Sequence, residues 1–69
     1  MNPFKQVAIA TLERGESSYN AINAAKVLYA DYVRGLARQE YSAEFTAESL
    51  AEYTRMLDEA LAELSLREK

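Results

Sequence analysis

Apolar residues recur along this chain at three- and four-residue intervals, the period of an α-helix, and two short polar breaks divide the pattern into three segments. The first segment opens on Asn2-Pro3, a side chain suited to the N-cap followed by a residue suited to the first helical position. Gly15 stops it. Phe4, Val7, Ala8 and Thr11 share one face, with Leu12 at its edge and Ile9 off it. Apolar residues on more than one side predict contact with two neighbours, or else an arm that frays. Ser17 or Ser18 caps the second segment, whose stripe is Ile22, Ala25, Tyr29, Tyr32, Val33 and Leu36 with Leu28 beside it. Asn20, Val27, Asp31, Arg34 and Arg38 lie opposite. A tight connection at Tyr41–Thr46, with Ser42 or Thr46 as cap, leads to a third segment. Its stripe is Leu50, Tyr53, Leu57, Ala60, Leu61 and Leu64. The expected helices span about 3–14, 19–40 and 43–66 of a single domain, 1–69.

This pattern predicts an all-α fold: an antiparallel helical hairpin with a short N-terminal helix. Gly35 interrupts the second helix, at about 1 kcal/mol relative to alanine. It either permits a close helix crossing or is incidental, and the incidental reading is preferred.

Size then changes the picture. A chain of 69 residues buries only about 60% of its unfolded surface. With no cysteine and no histidine it has neither a disulfide nor a structural zinc to compensate. Long helices of about 33 Å cannot shelter both stripes alone. Burial therefore predicts a homodimer that pairs two hairpins into a helical bundle. The stripe residues Ile22, Tyr29, Tyr32, Val33, Leu36, Leu50, Tyr53, Leu57, Leu61 and Leu64 are the candidate core and dimer residues.

The absence of histidine and cysteine also removes the usual general base, metal ligands and thiol nucleophile. No catalytic residue, metal or cofactor is expected. The serines have no adjacent base, and there is no glycine-rich phosphate loop. Glu48 and Glu52 are one turn apart, as are Glu59 and Glu63. Facing glutamates can bind metal, but the di-iron helical pattern requires Glu-x-x-His. These acids project away from the stripe, so a solvated acidic face is the simpler reading; such a face can still steer a basic partner. The net charge of −3 makes nucleic acid an unlikely target. Acid is concentrated in residues 42–69, with seven acidic groups against three basic. Arg34 and Arg38 are better suited to anchoring a protein than to gripping DNA. Apolar runs are too short to span a membrane and no secretory signal opens the chain, so the cytoplasm is the expected location.

Five tyrosines stand out in so short a chain. Tyr29, Tyr32 and Tyr53 fall on the stripes and each needs a hydroxyl partner if buried. Tyr41 and Phe45 sit at the turn. They either cap the core or form a surface anchor for a partner, since aromatic rings offer large area at low entropy cost. Two versions of a binding face follow: the acids Glu48, Glu52, Glu59 and Glu63, or the anchors Arg34, Arg38, Tyr41 and Phe45.

The opening stretch MNPFKQVAIATLERGESSYNAINAAKVLYADYVRGLARQEY, with the short, acidic, cysteine-free helical layout, resembles the small host-takeover proteins of temperate bacteriophages. Within that group it most resembles the anti-quorum-sensing proteins of pseudomonad phages. The resemblance covers the full length and rests on size, layout and sequence character rather than a motif. It implies a non-enzymatic inhibitor that binds a LuxR-type host transcription regulator and blocks its action on DNA. A second target, the ATPase that assembles type IV pili, is also implied. The competing expectations are an anti-CRISPR, antitoxin or immunity-type inhibitor of another protein, and a small DNA-binding regulator that uses the second helix.

Overall fold

The computed structural model describes residues 1–67. It has three α-helices and no strand among the described residues: α1 (Pro3–Glu13), α2 (Ser18–Arg38) and α3 (Ala43–Arg67). The observed bounds differ from the expected ones by one or two residues, the last turn of α2 ending sooner and α3 running one residue further. The expected domain ends at 69, and its final two residues lie outside the described ones.

Local chemistry sets each boundary. The Asn2 side chain accepts from the backbone N–H groups of Phe4 and Lys5, both at 3.1 Å, and Pro3 supplies the first helical residue. Gly15 adopts φ +87°, a left-handed conformation that favours glycine, and its N–H reaches the Leu12 carbonyl. Ser17 caps α2 by accepting from Asn20 N–H at 3.1 Å. The Ser42 hydroxyl accepts from Phe45 N–H, also at 3.1 Å, to open α3.

All three helices pack on one another. Tyr29 of α2 meets Thr54 of α3, and Tyr32 meets Tyr53. The particle measures 41 × 18 × 17 Å. Its long dimension is close to the length of α3 alone, about 37 Å for 25 residues. The 11 residues of α1 reach about 16 Å and so cover less than half of it.

The main buried cluster lies in the half that α1 covers, and Leu36, in the last turn of α2, is buried apart from it. Phe4, Ala8, Ala21, Ala25 and Ala60 are fully buried, with Leu64 beside them. Thr11 is buried as well; its hydroxyl donates to the Val7 carbonyl at 2.8 Å and accepts from Arg14 Nη2 at 3.3 Å. Every one of these residues lies in α1, the N-terminal part of α2 or the C-terminal part of α3. Four are alanines, which let the backbones approach closely and leave room for one large ring. Phe4 fills that room. Its ring makes edge-to-face contacts with Tyr29, Tyr32 and Tyr53, at centroid separations of 5.9, 5.1 and 6.4 Å. Such pairs add about 0.5–1.5 kcal/mol each beyond their buried area.

The stripe residues separate accordingly. Leu36 and Leu64 are buried. Ile22, Tyr29, Tyr32, Val33, Tyr53, Leu57 and Leu61 are half-buried. Leu50 is 39% exposed, on the side of α3 turned away from α1. A Cβ built on Gly35 meets nothing within 4 Å, so no close helix crossing in this chain requires glycine there.

Candidate functional surface

The uncovered end is the turn between α2 and α3. Residues 39–42 join the two helices there. Tyr41 and Phe45 occupy this tip, each 48% exposed, with ring centroids 4.6 Å apart at a 45° tilt. They pack on each other rather than on the Phe4 cluster, and neither belongs to the buried core. Of the two roles open to them, capping of the core is not what the structure shows. Two large half-exposed rings in mutual contact form a preorganised apolar knob, the kind of group that dominates protein interfaces.

The charged candidates divide by their partners. Arg34 is engaged by Asp31 one turn back on the same helix. Arg38, in the last turn of α2, enters no ion pair among the described residues, and the same holds for Glu48 in α3. Glu52 and Glu59 are both taken by Arg55, which lies between them on the outer surface of α3. Hydrogen bonding and charge from Glu52, then charge from Glu59, raise the Arg55 pKa and hold it protonated. Both carboxylates are therefore partly neutralised where they stand.

Glu63 departs from the sequence reading. It does not belong to a free acidic face, because its side chain is only 32% exposed and reaches Lys5 of α1 at 3.6 Å and Arg67 at 3.5 Å. Together with Asn2 it fastens the short helix. Asn2 Nδ2 donates to the Met56 carbonyl at 2.7 Å, so one side chain both caps α1 and ties it to α3.

The tip thus gathers Arg38, Tyr41, Phe45 and Glu48, with Arg34 one turn away and Glu52 and Glu59 further along α3. Two other open surfaces exist. One lies between α1 and α2, with Val7, Ala24 and Leu28 at its floor and Arg14, Glu16 and Asp31 at its rim. The other runs along α3 past Ala47, Ala51 and Ala62. The buried Thr11 hydroxyl lines the first, where it is already bonded to Val7 and Arg14. Among the described residues, no three His, Cys, Asp or Glu side chains are placed to share a metal ion, and no helix is long and apolar enough to cross a membrane.

Sequence reasoning missed Phe4 as the centre of the interior and Leu50 as an exposed residue. The first follows from where α1 lies, and Gly15 was its signal: it ends α1 at about half the span of α2 and less than half that of α3; the second follows from the side of α3 that carries Leu50. Compared with known protein families, curated proteins and solved structures, the chain matches none of them.

Proposed function

We propose that this chain is a non-enzymatic protein-binding inhibitor that engages its target through the tip of the α2–α3 pair. The observation that carries this reading is the Tyr41–Phe45 pair, two rings in tilted contact, each left half in water and apart from the buried cluster. Arg38 and Glu48 flank it with charges that no neighbour neutralises among the described residues. This arrangement favours the aromatic-anchor version of the binding face over the purely acidic one, because Glu52 and Glu59 are already committed to Arg55.

The target we propose is a LuxR-type transcription regulator in the cytoplasm of a bacterial host, with the pilus-assembly ATPase as a second partner. The support for this choice is the resemblance of the sequence to phage host-takeover proteins. Acid at the binding end suits a basic DNA-binding domain, since charge complementarity steers encounter and would set the chain in competition with DNA. In this reading the chain acts as a homodimer, its hairpins paired into a bundle.

The test is calorimetric titration of the chain into a purified LuxR-type DNA-binding domain. Saturable binding is expected, and Phe45→Ala should weaken it by about thirtyfold, the scale of a 2 kcal/mol hot spot. Circular dichroism of the variant should match the parent, because Phe45 contributes little to the buried interior. Absence of binding at low salt rejects the regulator as target. Binding that is indifferent to Phe45→Ala and Tyr41→Ala rejects the tip as the surface.

A further inference from the structure

The surface of α3 turned away from α1 carries an open trough of about 810 Å³. Its floor is Ala47, Ala51, Thr54 and Ala62, Leu50 lies along it, Asp58 stands within it, and Arg55 and Glu59, already paired with each other, border it. On α2, Tyr19, Lys26, Ala30, Val33 and Ala37 recur at helical spacing on the side away from Ala24, Leu28 and Asp31, which border α1. Two large apolar side chains at opposite ends of this combined face, Tyr19 at 72% and Leu50 at 39%, are exposed.

The charges on this face complement one another. The Tyr29 hydroxyl meets Thr54 Oγ1 at 2.9 Å, which fixes the level of α2 against α3. One turn toward the start of α2 stands Lys26, and one turn toward the end of α3 stands Asp58. The two therefore occupy the same level of the face, both exposed, and neither enters an ion pair among the described residues. A two-fold axis parallel to the helices would lay α2 of each copy on α3 of the other at matching level. Lys26 would then face the partner's Asp58, and Asp58 the partner's Lys26. A two-fold perpendicular to the helices at that level would instead oppose like charges.

We infer that a second copy of this chain docks on the face opposite α1, about a two-fold parallel to the helices, with Lys26 of each copy paired to Asp58 of the other. In that arrangement Tyr19 covers the small residues near the end of the opposing α3, and Leu50 meets the Val33–Ala37 stretch of the opposing α2. This inference rests on the homodimer proposed above. It leaves the Tyr41–Phe45 tips free, so both copies can still hold a target.

Sedimentation equilibrium of the full chain over the micromolar range, at low salt, tests it. The parent should dimerise. Lys26→Glu and Asp58→Lys should each weaken dimerisation by at least about tenfold, because each places like charges in opposition. The combined Lys26→Glu/Asp58→Lys chain should recover to within about threefold of the parent, since the swap restores complementarity on both sides of the axis. Should one single variant fold poorly by circular dichroism, the double variant still decides. A monomeric parent overturns this inference and the homodimer together, without touching the tip. Single variants that dimerise like the parent, or a double variant no better than either single, overturn the docking face and leave the homodimer standing.

Discussion

Phe4→Ala should abolish the cooperative thermal unfolding of this chain. Removing a buried phenylalanine ring leaves a cavity and costs about 3–5 kcal/mol. Phe4 is fully buried and also gives up three edge-to-face tyrosine contacts. At about 0.05–0.15 kcal/mol per residue, a chain of this size has only a few kcal/mol of stability to lose. Far-UV circular dichroism followed with temperature should therefore show a broad, non-cooperative decline for Phe4→Ala, with Phe4→Leu intermediate. A Phe4→Ala melt within a few degrees of the parent would mean that α1 contributes little to the interior.

Leu64→Asp should be as damaging, and its effect should depend on pH. Leu64 is 2% exposed and packs with Phe4, Ala25 and Ala60. A carboxylate introduced there has no buried cation to meet, and burial raises its folded-state pKa above the unfolded value of about 3.9. The sign follows from linkage. The folded state prefers the protonated form, so the penalty is full at neutral pH and is relieved as pH falls through the raised pKa. Helix content at pH 7 should collapse and recover in part under mild acid. Leu66→Asp is the control, because Leu66 is 68% exposed and its replacement should change little. Equal melting of Leu64→Asp and Leu66→Asp would show that the last turns of α3 face water on both sides.

These expectations show what could be read from the residues and what could not. The helices were legible because period, caps and stops agreed: Asn2-Pro3, Gly15, Ser17 and Ser42 each mark a boundary that the structure uses. Leu36 and Leu64 were legible as interior because large aliphatic side chains on a stripe have one sensible destination. Ala8, Ala21 and Ala60 gave a weaker signal, since alanine suits a helix whether buried or exposed. Phe4 was placed on the correct face, but its rank depends on which aromatic rings converge from two distant helices, and spacing along one helix carries no such information. The tip was visible only as an aromatic pair beside a turn. Its exposure required knowing that α1 stops short. The pairing of Glu63 with Lys5 joins residues on two helices whose relative placement the sequence leaves open.

In the proposed function the short α1 packs at one end of the molecule and the aromatic tip at the other end engages a target protein. Backbone amide chemical-shift mapping of the isotope-labelled chain, titrated with an unlabelled LuxR-type DNA-binding domain, tests this most directly. The account predicts that the largest shifts fall between Arg38 and Leu50, while amides around Ala8, Ala21 and Ala25 stay in place. Shifts centred on α1 and the first turns of α2, or none at saturating concentration, would contradict it.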